Sequence, residues 1–110
     1  MNQLLEYYTI AVNHPNVSGF EHLEMLRVRD KLAQIERTLS PAEKDQLEEA
    51  DHRLAERANE FYAELARVTD LQHERDQRKT PPSYWWWYLD VLVQAPSIPP
   101  HHLEPALASL

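Results

Sequence analysis

The tetrapeptide Ser40-Pro41-Ala42-Glu43 constrains this chain more than any other stretch. Ser suits a helix N-cap, Pro suits the first helical position, and Glu three residues after the cap satisfies the cap's own backbone N–H. One helix must therefore end just before Ser40 and another must begin at Pro41. A link this short favours an antiparallel hairpin.

The flanking residues have the periodicity this requires. Before the link, Met25, Val28, Leu32, Ile35 and Leu39 recur at three and four residues, with Leu26 and Ala33 widening the stripe. Ser18 and Glu21 have the spacing of a second capping box, which starts this helix near residue 19. Glu24, Arg27, Asp30, Lys31 and Arg37 take the positions between. After the link, Leu47, Leu54, Phe61 and Val68 are spaced by sevens, with Ala50, Ala58 and Leu65 between them. That is the repeat of a coiled-coil seam. The spacing predicts one helix over residues 41–71, about 45 Å long at ~1.5 Å per residue.

Two shorter segments flank this pair. Leu4, Leu5, Tyr8, Ala11 and Val12 share one helical face, and Asn13-His14-Pro15 ends it. Thr80-Pro81-Pro82-Ser83 opens a fourth segment over residues 84–94. The expected fold class is all-α. A long antiparallel helical hairpin with a coiled-coil-like seam is flanked by a short N-terminal helix and a Trp-rich C-terminal helix. Residues 1–94 form the domain. Residues 95–110, with Pro96, Pro99, Pro100 and Pro105, form an extended Pro-rich tail with at most a turn of helix over residues 104–108. The chain's single Gly disfavours a β fold with its many tight turns.

Charge and composition exclude several functions. The net charge is −7, and basic residues are scattered among acidic ones rather than gathered on one face. A surface that grips phosphates needs a basic excess, so nucleic acid is not an expected partner. The most apolar run, residues 84–93, carries Asp90 and is too short to span a bilayer, so no membrane association is expected. There is no Cys, hence neither a disulfide framework nor a thiolate site. The first residues lack a basic region followed by an apolar stretch, and the expected location is cytoplasmic.

The chain's three Trp lie in Tyr84-Trp85-Trp86-Trp87-Tyr88. On an α-helix, Trp85, Tyr88, Leu89 and Leu92 share the core face. Trp86 and Trp87 then fall on either flank of the polar side marked by Asp90. A single supporting surface cannot cover both. Trp86, Trp87, Tyr84 and Asp90 are therefore the expected interaction site, since Trp is enriched at interface hot spots. Packing at the end of the hairpin is the competing reading. Tyr7, Tyr8 and Tyr62 would join the cluster if the chain ends met there.

Other motifs carry less. Glu49 and His52 have E-x-x-H spacing, and Asp70 and His73 have D-x-x-H spacing. Both His fall opposite the seam, so no metal is assigned. Arg27, Arg29 and Lys31 are read as solvent-facing. No nucleophile, phosphate loop or dinucleotide fingerprint is present, and neither catalytic residues nor cofactors are assigned. The sequence points to a protein–protein interaction module, an adaptor or regulatory subunit, whose partner is another protein or a second copy of the chain. The alternative is an enzyme or metal-binding helical bundle using inter-helix polar residues.

Overall fold

The computed structural model of the chain describes residues 2–94. The tail expected over residues 95–110 lies outside them. Six α-helices follow in order: α1 (Gln3–Ala11), α2 (Gly19–Ile35), α3 (Pro41–Glu56), α4 (Ala58–Leu65), α5 (Leu71–Arg78) and α6 (Leu89–Leu92). Short 3-10 turns occupy Glu36–Thr38 and Trp85–Tyr88. The described residues include no strand, and none of their helices is long and apolar enough to cross a membrane.

The caps read from sequence are present. Ser18 Oγ accepts from Glu21 N while Ser18 N donates to Glu21 Oε2, at 3.3 Å each. Ser40 Oγ accepts from Glu43 N at 3.1 Å, and Ser40 N donates to Glu43 Oε1 at 2.9 Å. Each pair satisfies backbone N–H groups that the first helical turn leaves without partners. Asn2 caps α1 in the same way, its Oδ1 accepting from Leu4 N and Leu5 N.

The single helix expected over residues 41–71 is instead α3, α4 and the start of α5. The described residues span 33 × 31 × 27 Å, so a straight helix of that length would have outrun the molecule. The chain leaves helical geometry at Arg57, with φ −104° and ψ 21°. It leaves again after Leu65 and resumes at Asp70, whose Oδ1 accepts from Gln72 N and His73 N to start α5. No Pro or Gly marks either break. The bend at Arg57 lets α3 pack against α1 while α4 turns onto α2 and α6. Leu47, Leu54 and Phe61 are buried as their spacing implies, but on two helices rather than one seam. The hairpin and coiled-coil geometry gives way to a bundle whose core also takes in Leu5, Met25, Leu32, Leu65, Leu89 and Leu92.

Gly19 sits where the start of α2 meets the end of α4. A Cβ there would collide with the Glu64 carbonyl oxygen and lie 2.8 Å from Val68 Cγ2. At the end of α5, Lys79 takes the left-handed conformation, φ 52° and ψ 47°, that Gly more often supplies at a helix stop. The Thr80 N–H then donates to the Arg75 carbonyl at 3.1 Å, turning the chain toward the Trp segment.

Candidate functional site

Residues 85–88 form a 3-10 turn rather than the expected α-helix, and Trp86 and Trp87 are 2 % and 1 % exposed. The expectation that one supporting surface could not cover both is corrected: both rings are buried, as in the packing reading. Three-residue turns send consecutive rings in three directions, and here several elements surround them. Trp86 Nε1 and Trp87 Nε1 both donate to Asp30 Oδ1 on α2, at 2.7 and 2.8 Å. Arg29 of α2 lies over the Trp86 ring at 4.1 Å, and Arg78 of α5 over Trp87 at 4.5 Å. Tyr84 stacks on Trp86 with ring centroids 4.7 Å apart. Asp90 accepts two hydrogen bonds from Arg75, at 2.5 and 3.1 Å, while Arg75 Nη1 also donates to the Trp87 carbonyl. The four residues expected to form an interaction site are thus brought together, but as an internal clasp between the C-terminal segment, α2 and α5.

A second buried network joins α1, α2 and α3. Arg29 donates through Nε and Nη2 to the two oxygens of Asp51, at 2.9 and 3.0 Å. Tyr8 Oη donates to Asp51 Oδ1 at 2.7 Å. Burial and the Asp51 carboxylate push the Tyr8 phenol well above its ordinary pKa, so it remains a donor. Arg29 is buried, not solvent-facing as its place among basic residues implied. Its Nη1 has no hydrogen-bond partner among the described residues, and its guanidinium lies against the Trp86 ring. Tyr8 reaches the Trp cluster through this arginine, whereas Tyr7 stays exposed and Tyr62 is half-buried.

Beside this network lies an open cleft of 550 Å³ lined by Arg29, Glu36, Arg37, Lys44, Glu48, Asp51 and His52, with Ser83 and Trp85 at its edge. Its lining mixes three basic with three acidic side chains, and its buried cation, Arg29, is already paired with Asp51. It therefore focuses no field of one sign on a ligand. No group of three or more His, Cys, Asp or Glu among the described residues could hold a metal ion.

The surface offers a different feature. The large apolar side chains exposed among the described residues are Tyr7 (42 %), Ile10 (53 %), Val17 (37 %) and Phe20 (66 %). All belong to the C-terminal half of α1, the loop after it, and the first turn of α2. Tyr7, Ile10, Ala11, His14, Val17, Glu21 and His22 line a groove of 210 Å³. His22 forms its floor: the buried ring contacts the Pro15 carbonyl through Nε2 at 3.1 Å and packs edge-on against Phe61. Burial holds the His22 pKa below its ordinary value, so the floor is uncharged at neutral pH. Partial burial, then the carboxylates of Glu24 and Glu21, raise the pKa of the Tyr7 phenol.

The reading from sequence missed this face, although the residues carry a signal for it. Leu5, Tyr8 and Val12 form the buried side of α1, and Tyr7 and Ile10 fall nearly opposite. Large apolar side chains on the solvent side of a helix, here among Gln3 and Glu6, are a signal of a further contact. The described fold covers only the opposite side. Comparison with family models, with curated proteins and with solved structures found no match to this chain.

Proposed function

We propose that the chain is a small helical protein-binding module, an adaptor or regulatory subunit, that engages its partner through the outer face of α1 and the turn into α2. One observation carries the reading: the exposed large apolar side chains of the described residues all fall between Tyr7 and Phe20. Scattered exposed apolar residues are ordinary, whereas a local concentration marks a contact surface. The Trp-rich segment supports the same reading indirectly. Its rings and polar atoms are engaged internally, which leaves the α1 face as the apolar surface on offer.

The experiment compares capture of partners from cell extract by the parent chain and by Ile10→Asp and Phe20→Asp. The captured protein is then purified and its affinity for each form measured directly. The expected result is a loss of about tenfold or more for each variant, the scale of a truncated interface anchor. Affinities unchanged in both variants would contradict the assignment.

A further inference from the structure

From this docking face, on which the inference rests, we infer the chemistry of its occupant: a basic amphipathic helix of another protein, laying an apolar stripe along Tyr7, Ile10 and Val17 with Lys or Arg on its flanks. The groove lies between the outer face of α1 and the start of α2. A channel between two helices accepts a third helix whose anchors repeat at three and four residues. Charge decides which helix. Residues 1–26 contain Glu6, Glu21 and Glu24 and no Lys or Arg; Glu24 is paired with Arg27 at 3.9 Å, so Glu6 and Glu21 carry the acidic character of this face. Glu21 lines the groove beside Tyr7. Glu6 is one helical turn before Ile10 on the exposed side of α1. Glu21 also caps α2, and that hydrogen bond leaves its negative charge in place.

Two other occupants fit less well. A second copy of the chain would bring the same acidic rim against itself. The chain's own residues 95–110 contain Glu104 and no Lys or Arg, so they do not complement the rim.

The test uses the full-length, isotope-labelled chain and two synthetic helical peptides. Both carry the same Leu stripe, with Lys on the flanks of one and Glu on the flanks of the other. The Lys peptide is expected to shift backbone signals of residues 7–24 saturably and to bind about tenfold more tightly than the Glu peptide at low salt, the gap closing at ~0.5 M salt. Glu6→Lys with Glu21→Gln should erase the preference, and Ile10→Asp should abolish binding of both peptides. Equal binding of both peptides at residues 7–24 overturns the basic occupant and leaves the docking face standing. Binding of neither at these residues overturns the inference, and the docking face is then judged by the Ile10→Asp and Phe20→Asp affinities above. Signals of residues 7–24 that move on Leu103→Ser, without any peptide, identify the chain's own tail as occupant and overturn both.

Discussion

Arg29 and Asp51 carry opposite charges out of water, and the energetics of such pairs determine what substitution does at each. Removing one partner strands the other, at about 3–5 kcal/mol, whereas replacing both with apolar groups of similar size is often neutral. Asp51→Ala should therefore destabilise by about 3–5 kcal/mol. In a Tyr8→Phe background, which removes the buried hydroxyl that donates to Asp51, Arg29→Met combined with Asp51→Leu should recover more than half of that loss. Urea unfolding of the parent, Arg29→Met, Asp51→Leu and the double variant, all in that background, gives the coupling, and simple additivity would show that the pair does not act as a unit. The pair was legible in the sequence. Met25, Val28, Arg29 and Leu32 have the i, i+3, i+4, i+7 spacing of one face, as do Leu47, Ala50, Asp51 and Leu54. A charge of each sign on two apolar stripes is the pattern of a buried ion pair, and reading Arg29 together with Arg27 and Lys31 concealed it. His22 provides a second test at this scale. Its folded pKa lies below the unfolded value near 6.5, so the unfolded chain takes up a proton first as pH falls. Its contribution to stability is present above pH ~6.5 and is lost as pH falls toward the folded pKa. Between pH 7.5 and 5.5 the parent chain should lose stability faster than His22→Gln. Parallel curves would remove His22 from the account.

Helix starts and helix breaks differ in how far local chemistry governs them. The starts of α2 and α3 depend on reciprocal side-chain-to-backbone bonds within four residues, and both were readable from Ser18/Glu21 and Ser40/Glu43. The break at Arg57 has no such marker, because it follows from where α4 finds α2 and α6. Asp70 did carry a signal, but it was weighed only for its D-x-x-H spacing with His73, to which no metal was assigned, and not as the cap of α5 that it is. The Trp segment was misread for a third reason. An α-helix of 100° per residue with one supporting surface cannot cover both Trp86 and Trp87, whereas a 3-10 turn enclosed by α2 and α5 buries both. At this scale Gly19 gives a prediction of definite sign. Gly→Ala inside a helix ordinarily stabilises by ~0.5–1 kcal/mol. Gly19→Ala should instead destabilise by about 1–3 kcal/mol, because the added methyl meets backbone of α4 rather than open space. Thermal unfolding reads the sign directly, and a rise in Tm would contradict the close approach of α2 and α4.

The whole molecule divides its aromatic and apolar residues between two ends of one architecture. At the C-terminal side, Trp85 to Tyr88 close the bundle and are held by Asp30, Arg75 and Arg78. At the N-terminal side, α1 lays one face on α2 and α3 and turns the other, with Tyr7 and Ile10, outward. A 31-residue helix would have left a long apolar overhang to be covered by a neighbour. Bending that helix at Arg57 lets the chain cover its own seam, so the surface left for a neighbour lies elsewhere. The most direct test of this division is urea unfolding of Ile10→Asp and Phe20→Asp beside Trp86→Ala. An outward face predicts that the two Asp variants stay within ~0.5 kcal/mol of the parent, as surface substitutions do. Trp86→Ala should lose about 3–5 kcal/mol, as truncation of a buried aromatic does. Asp variants that unfold as readily as Trp86→Ala would mean that the α1 face is covered within the chain, and the docking surface would be contradicted.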